Sequence, residues 1–316
     1  MSRLTKHAFG LSLAPELELP GLRSCEPSRA SVSMRLVEPR ELRGRSGDPG
    51  DVLWTTVMDD AQPIRLERMA DGGHRFEYGR RADFLLSPRG DSILCAPAEP
   101  DDPSWKRFLL DTVLFTTSLL HGFEALHASS VAVDGRILAF LAFTGGGKTS
   151  LAYELVRRGG TLFCDDVLAL ESGASGVVAH PGPALMNVPL AISENRRVRD
   201  SGRALAVLGD EVWLEVADAP VAPDKLAGLF LLDRHTDHGE PVLKPEGSSM
   251  PLVAHALGIK GSDARLRKRF DLLADLARDV PIYRLEVGPS APPEALADLV
   301  EETLAPSPRV AARVGA

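Results

Sequence analysis

The chain has 316 residues, of which 44% are hydrophobic and 25% are charged, and its formal net charge at pH 7 is −8. This length is sufficient for two domains that each bury a core. The acidic balance argues against a nucleic-acid-binding surface, and no run approaches the roughly 18 apolar residues of a membrane span.

The cysteines and the first residues of the sequence indicate the cellular compartment of the protein. Cys25, Cys95 and Cys164 are odd in number and widely spaced, a pattern that fits neither a disulfide framework nor a zinc site. No long apolar stretch follows the first residues, so we expect no signal peptide. We therefore predict a protein of the reducing cytoplasm.

Residues 1–100 are predicted to form a small β-rich domain. Short apolar segments alternate with turn signals, which predicts strands at 52–58, 74–78, 83–86 and 92–95. Residues 1–50 are rich in Pro, Gly, Arg and Ser and predict short strands and loops. Because the segment contains no catalytic cluster, we expect it to be a scaffold or an oligomer contact, with recognition of a partner as the alternative.

A helix and a β-hairpin are predicted next. Asp102 is a good N-cap and Pro103 suits the first turn of a helix that ends at Gly122. The apolar runs 126–133 and 137–141 flank Asp134-Gly135, which is the strongest short-range signal for a hairpin. His127 should therefore lie at the same end of the hairpin as the segment that follows the second strand.

That following segment is the most informative one in the chain. Thr144-Gly145-Gly146-Gly147-Lys148-Thr149 lies between the predicted strand and a predicted helix. In this context consecutive backbone N–H groups and the helix N-terminus form a cradle for phosphate groups. Lys148 would reach the β- and γ-phosphates and the Thr149 hydroxyl would bind Mg²⁺, so we predict a nucleoside triphosphate site that extends to Ser150. The alternative is a simple glycine-rich turn.

Two adjacent carboxylates, Asp165 and Asp166, follow the predicted strand 161–164, and residues 167–170 are expected to continue that strand. Ligands of open α/β sheets bind outside the carboxyl ends of the strands. In that place one carboxylate can bind Mg²⁺ and the other can accept a proton from an attacking hydroxyl. The alternative is a solvated acidic turn.

Residues 180–200 contain Pro181, Pro183 and Pro189 and are predicted to be a rigid loop that leads into a charged run at 195–199. We expect that run to be solvated rather than functional. The apolar segment 226–232 predicts a central strand that ends in Asp233-Arg234, and this position makes Arg234 a candidate phosphate contact.

After this point we predict helices at 251–258, 264–278 and 293–304 and a strand at 282–287. The tail from Ala305 is expected to be frayed. In the second helix we expect apolar side chains to face inward, and the charges of 265–269 to lie on the surface. The side chains expected to face inward are Leu266, Phe270, Leu273 and Leu276.

Taken together, these motifs resemble the catalytic domain of the HPr kinase/phosphorylase superfamily. The resemblance is carried by His127-Ala128-Ser129, the Asp134-Gly135 hairpin, the loop ending in Gly147-Lys148-Thr149, and Asp165-Asp166. It is strong over about residues 126–170, loose over 226–290 and absent before about residue 100. It implies an α/β fold: a P-loop kinase domain over 101–316, with a mixed sheet and flanking helices, preceded by the β-rich domain.

The resemblance also implies a chemistry, the ATP- and Mg²⁺-dependent phosphorylation of a serine hydroxyl in a protein or peptide. By this resemblance Asp165 is the base on the acceptor, Asp166 assists Thr149 at the metal, and His127 tunes or hydrogen-bonds the acidic pair. Lys148 binds phosphates, and the remaining nucleotide-binding residues are Thr144, Gly145, Gly146, Gly147, Thr149 and Ser150.

The sequence departs from the family pattern at two places. Ala142 stands where the phosphate-loop pattern has its first glycine, and residues 183–188 do not match the family's second conserved segment, a Glu-Ile-Arg-Gly-Leu-Gly-like stretch. The chain looks more similar to divergent relatives such as lasso-peptide precursor kinases, which phosphorylate a peptide hydroxyl. The alternatives are a non-catalytic ATP-binding protein that recruits a partner, and a small-molecule kinase. A homo-oligomer is compatible with each of these functions. We expect no nucleic-acid partner and no membrane partner.

Overall fold

The computed structural model describes residues 5–25, 28, 30–48, 50–57, 62–195, 202–217, 221–234, 240–259 and 263–304. These residues form a mixed α/β fold with two nine-stranded sheets, a three-stranded sheet and few helices. The charged positions 196–199, expected to be solvated, and the tail from residue 305, expected to be frayed, lie outside the described residues. Within the described ranges, no helix combines the length and the apolar character needed to cross a bilayer.

The first sheet is built by residues 5–97 and contains nine strands: β1 (Thr5–Ala8), β2 (Leu11–Pro15), β3 (Arg23–Cys25), β4 (Ala30–Leu36), β5 (Asp51–Val57), β6 (Pro63–Arg68), β7 (His74–Tyr78), β8 (Ala82–Leu86) and β9 (Ser92–Pro97). Their order in the sheet is β3-β1-β2-β4-β9-β8-β7-β6-β5. In β7 and β8 buried residues alternate with partly exposed ones, as expected for a sheet with one packed face. The predicted strands in 52–95 are confirmed, except that Met58 lies outside the described residues. A short helix, α1 (Pro39–Arg45), follows β4.

The predicted helix after residue 102 is confirmed, with one irregularity. It consists of α2 (Pro103–Phe108), a π-helical turn (Leu109–Val113) and α3 (Leu114–Leu120). The Asp102 carboxylate accepts a hydrogen bond from the Ser104 N–H at 2.9 Å, which caps the first turn. Trp105 belongs to the same apolar cluster as residues of the first sheet. The helix therefore covers the packed face of that sheet, and the π turn, a feature often found at functional sites, carries Asp111.

The second sheet is centred on β10 (Glu124–Val133). It also contains β11 (Arg136–Leu141), β12 (Thr161–Cys164), β13 (Val167–Gly173), β14 (Gly176–His180), β18 (Leu226–Arg234), β19 (Val242–Pro245), β20 (Ala256–Leu257) and β21 (Ile282–Val287). The predicted hairpin is confirmed: β10 and β11 pair antiparallel, and Asp134 and Gly135 have φ values of 49° and 75°. β12 and β13 both pair antiparallel with β10, so the acidic pair interrupts a strand that otherwise continues, as predicted.

Strand direction places several strand ends at one edge of this sheet. β18 is parallel to β11 and to β21, and β12 runs in the same direction because both β11 and β12 are antiparallel to β10. The carboxyl ends of β11, β12, β18 and β21 therefore lie at the same edge. This is the edge at which α/β sheets bind their ligands.

Helices cover both faces of the second sheet. α4 (Lys148–Arg157) and α8 (Pro293–Leu304) share an apolar cluster with Phe230 of β18. α7 (Asp263–Asp279) packs on the opposite face, where Leu272 and Leu276 contact a cluster that includes Leu229. The predictions for the strand at 282–287 and the helix at 293–304 are confirmed. The segment 251–258, predicted as one helix, instead forms α6 (Met250–Ala254) followed by β20.

The prediction of a rigid loop over 180–200 is wrong. This segment contains β15 (Leu185–Pro189) and α5 (Leu190–Asn195), and β15 pairs with β17 (Glu211–Val216), which pairs with β16 (Gly202–Leu208). β15 is an edge strand of this three-stranded sheet. A proline is tolerated at an edge or at the end of a strand, and for this reason Pro189 does not prevent the strand.

The orientation predicted for α7 is half wrong. Leu273 and Leu276 are buried, but Leu266 and Phe270 are 43% and 53% exposed. The cause is Glu124, a carboxylate that is buried and pairs with Arg269 at 2.8 Å and with Arg265 at 3.3 Å. A buried carboxylate is costly unless it is paired, so the first turns of α7 direct Arg265 and Arg269 inward, while Leu266 and Phe270 face outward.

Candidate active site

The glycine loop connects β11 to α4 and has the backbone that its sequence predicts. Gly145 and Gly147 have φ values of +77° and +94°, a region that glycine adopts without strain. A Cβ at position 146 would lie 2.5 Å from the Cβ of Ala142. The methyl group of Ala142 is therefore accommodated because residue 146 is glycine, and the departure from the pattern at 142 is compatible with a closed loop.

Lys148 begins α4 and is buried, with 5% exposure. Its ammonium group lies 3.0 Å from the Ala142 carbonyl oxygen and 3.0 Å from His127 Nε2. The Nδ1 of His127 lies 2.9 Å from the Asp166 carbonyl oxygen. Because a carbonyl oxygen can only accept, Nδ1 carries the proton and Nε2 accepts from Lys148. His127 therefore restrains Lys148, and it contacts the backbone of the acidic pair rather than its carboxylates.

The charge of Lys148 suits an anionic ligand. Burial lowers the pKa of Lys148, and the nearby carboxylates Asp166 and Asp165 oppose that effect. Within the described part of the chain its two hydrogen-bond partners are neutral. A buried ammonium group at a helix N-terminus, without a bonded carboxylate, is a suitable site for a phosphate group.

The carboxylate of Asp165 lies at the centre of a hydrogen-bond network. Its Oδ1 accepts from Ser129 Oγ at 2.6 Å and from Thr149 Oγ1 at 3.0 Å, and its Oδ2 accepts from the Asn187 N–H at 3.0 Å. Burial, followed by the negative charge of Asp166, raises the pKa of Asp165 to about 7, although the hydrogen bonds favour the charged form. The sequence analysis expected Asp166 to assist Thr149, whereas the carboxylate that contacts the Thr149 hydroxyl is that of Asp165.

Asp166 is held in a left-handed backbone conformation with a φ of +61°. Its carbonyl oxygen accepts from the Ala128 N–H at 3.2 Å as well as facing His127. Its carboxylate accepts from Asn187 Nδ2 at 2.9 Å. Because of this conformation the carboxylates of Asp165 and Asp166 both reach Asn187, whereas in a regular strand two adjacent side chains point to opposite faces.

Sequence reasoning missed Asn187, which is buried on β15. Besides its bonds to the acidic pair, its amide reaches Asp111 Oδ2 at 3.4 Å. Burial raises the pKa of Asp111 to about 7, while Arg107, 3.5 Å away, opposes this shift. No local pattern identifies an asparagine in this role. The fold creates it by pairing β15 with a strand that comes later in the chain.

The residues present fit a magnesium nucleotide. The hydroxyl of Thr149 donates its proton to Asp165, so its oxygen lone pairs remain available to a cation. In the described ranges no three His, Cys, Asp or Glu side chains converge as a metal cluster. Mg²⁺ does not need such a cluster, because it binds through one or two protein oxygens together with phosphates and water. Thr144 and Gly145 are exposed beside the loop, and Ser150 is buried in the first turn of α4.

Comparisons with known proteins add little to this geometry. No family model matches the chain, and no curated protein matches it. Among solved structures, the chain is similar to the HPr(Ser) kinase/phosphatase from Coxiella burnetii, with a TM-score of 0.32, 14% identity, and coverage of 57% of this chain and 95% of that one. This likeness is too weak to assign a fold or a chemistry to the chain.

Proposed function

We propose that the chain is an ATP-dependent kinase that transfers the γ-phosphoryl group to a serine or other hydroxyl of a protein or peptide. One observation carries the proposal: the carboxylate of Asp165 lies 3.0 Å from the hydroxyl of Thr149, in the residue that follows the buried Lys148. A phosphate cradle and an acidic pair therefore share one cluster at the carboxyl edge of the sheet. These are the groups that phosphoryl transfer requires.

ATP would be held by the loop N–H groups of 144–150 and by the ammonium group of Lys148. Thr149 and Asp166 would bind Mg²⁺, which supplies neutralisation of charge on the phosphate oxygens when it is bound. His127 restrains Lys148 through Nε2. This contact fixes the direction of the ammonium group before the phosphates arrive, so less ordering is needed on binding.

Asp165 would act as the base. It accepts the proton of the acceptor hydroxyl while the hydroxyl oxygen forms a bond to the γ-phosphorus, and the bond from that phosphorus to the bridging oxygen breaks to release ADP. A pKa raised to about 7 suits proton transfer near neutral pH. Ser129 and the Asn187 N–H hold the carboxylate in place.

One observation favours the alternative of ATP binding without transfer. The carboxylate of Asp165 already accepts three hydrogen bonds, two at Oδ1 and one at Oδ2. Of its roughly four lone-pair sites, one on Oδ2 remains to receive a proton, so transfer requires the acceptor hydroxyl to reach that oxygen. Binding and transfer therefore have to be measured separately.

The wider predictions from the sequence are part of this proposal. We propose a domain division at residue 100, with a P-loop kinase domain of the HPr-kinase type after it. We also propose a cytoplasmic protein with a protein or peptide acceptor, which could act as a homo-oligomer. Arg23 of the first sheet supports close cooperation of the two parts, since it donates to the Leu162 carbonyl oxygen at 2.6 Å, in the strand that leads to the acidic pair.

The test compares the wild-type chain with Asp165→Asn and with Asp134→Asn as a control. Asp134 is exposed in the hairpin turn at the opposite end of β11, and asparagine tolerates its positive φ. Each protein is incubated with MgATP and an array of serine-containing peptides, and phosphopeptides are detected by mass. We expect transfer by the wild type and by Asp134→Asn and none by Asp165→Asn, which should still bind MgATP in calorimetry. Normal transfer by Asp165→Asn would show that Asp165 is not the base.

A further inference from the structure

Arg234 occupies a position from which it can control the glycine loop. It is the last residue of β18, the strand that lies between β11 and β21 and runs parallel to both. β11 leads directly into the loop, and the segment after β21 leads toward α8. The side chain of Arg234 thus stands at the carboxyl edge of the sheet, between two connections that border the proposed nucleotide site.

The guanidinium group joins these two connections. Its Nε donates to the Gly146 carbonyl oxygen at 3.0 Å, and its Nη1 donates to the carbonyl oxygens of Gly288 and Pro289 at 3.2 and 3.1 Å. A planar fork with several fixed donors can make these contacts simultaneously, whereas a lysine ammonium group on a flexible stem is a single point charge. By binding the Gly146 carbonyl, Arg234 restrains the loop backbone at that residue.

The remaining nitrogen of the guanidinium group lies against the start of α4. A Cβ at Gly147 would lie 2.8 Å from Arg234 Nη2, so the close approach depends on a glycine at 147. Arg234 therefore adds a second positive charge beside Lys148, at a helix N-terminus that is itself partially positive. Across the described residues, no carboxylate forms an ion pair with Arg234, and its described partners are backbone carbonyl oxygens.

This arrangement is electrostatically unfavourable for Arg234 without an anion, because the carboxylates of Asp165 and Asp166 favour the charge of Lys148 but have no such effect on Arg234. Cations are favoured at the C-terminus of a helix and disfavoured at its N-terminus, and Arg234 and Lys148 both lie at the N-terminus of α4. Burial lowers the pKa of Arg234, which reflects the cost of the partly buried charge. A polyphosphate bound in the loop would relieve both effects.

We propose that Arg234 is a positioning residue of the phosphate site, which fixes the glycine loop through Gly146 and adds a second cation that favours a bound polyphosphate. This role rests on the proposed function, since it concerns the same site. It predicts that the loss of Arg234 weakens binding through the phosphate chain rather than through the nucleoside.

The test uses Arg234→Gln, Arg234→Lys and, as a matched control, Arg136→Gln. Arg136 is exposed at the other end of β11, so its replacement removes the same charge far from the loop. Calorimetry measures the binding of MgATP and of magnesium tripolyphosphate, which lacks a nucleoside, and thermal melts monitor folding without ligand. We expect Arg234→Gln to bind both ligands about tenfold more weakly and Arg234→Lys about threefold more weakly, with Arg136→Gln unchanged.

The outcomes separate this role from the proposed function. A purely structural Arg234 would lower the melting temperature of the ligand-free chain and leave the affinity of the folded variant unchanged, which would overturn the proposal. An equal loss in Arg136→Gln would also overturn it. If Arg234→Gln does not fold, Arg234→Lys decides, and wild-type affinity in that variant would overturn the proposal. A wild-type chain that binds neither ligand would refute the nucleotide site itself, and with it any role for Arg234.

Discussion

Replacing Ser129 with alanine should destabilise the chain more than the same change at Ser130. The two residues are neighbours in β10 and both are fully buried. Ser129 Oγ donates to the carboxylate of Asp165 at 2.6 Å, whereas Ser130 Oγ donates to the neutral carbonyl of Leu138 at 2.8 Å. A hydrogen bond to a charged group contributes about 1.5–3 kcal/mol, and a neutral one about 0.5–1.5 kcal/mol. The difference between the two variants should therefore be about 1 kcal/mol or more.

Urea denaturation of the wild type, Ser129→Ala and Ser130→Ala gives the three free energies of unfolding. The measurement is made at about pH 8.5, because the pKa of Asp165 is raised to about 7 and the carboxylate is then mostly ionised. We expect equal m-values and the order wild type, Ser130→Ala, Ser129→Ala from most to least stable. Equal losses in the two variants would refute the assignment of an ionised carboxylate as the partner of Ser129.

Three further predictions concern stability. Burial, and to a lesser degree neighbouring cationic groups, lowers the pKa of His7 from 6.5 to about 4, so the unfolded chain binds the proton more readily than the folded chain. Urea unfolding should therefore show up to about 3 kcal/mol of stability lost as the pH falls from 6.5 to 4, and His7→Phe should reduce this loss. A pH dependence that is unchanged in His7→Phe would contradict a buried neutral imidazole. A Cβ at position 147 would combine a φ of +94° with a guanidinium nitrogen 2.8 Å away, whereas a Cβ at position 135, with a φ of +75°, would have no atom within 4 Å. In thermal melts Gly147→Ala should therefore lose more stability than the roughly 1 kcal/mol of backbone strain that both variants share. Equal losses of stability in Gly147→Ala and Gly135→Ala would argue against the close approach. Leu273→Ala should cost about 2–5 kcal/mol in urea unfolding, and Phe270→Ala, at a position 53% exposed, less than about 1 kcal/mol; the reverse order would mean that α7 is rotated.

Local signals in the sequence were sufficient for the central part of the site. Asp134-Gly135 predicts the hairpin because a tight turn needs residues that accept positive φ. The glycine loop and Lys148 predict a strand, a turn and a helix start in the order that the structure shows. Since the turn fixes which ends of the strands coincide, the sequence also placed His127 at the loop.

The features that the sequence did not predict depend on contacts between distant segments. β15 forms because β17, more than 20 residues later, supplies its hydrogen bonds, and nothing within 180–200 indicates this pairing. Asn187 acquires its contacts only through that strand. The orientation of α7 is decided by a buried carboxylate, Glu124, on another element. In each case a tertiary contact overrides the local pattern.

The central claim is that a nucleoside triphosphate binds at the glycine loop that precedes Lys148. Isothermal titration calorimetry with MgATP, on the wild type and on Lys148→Ala with its fold confirmed by circular dichroism, tests this claim most directly. We predict saturable heat for the wild type and a loss of at least about tenfold in affinity for Lys148→Ala, since a charged contact to phosphate is removed. The absence of binding to the wild type, or equal binding by both proteins, would contradict the account.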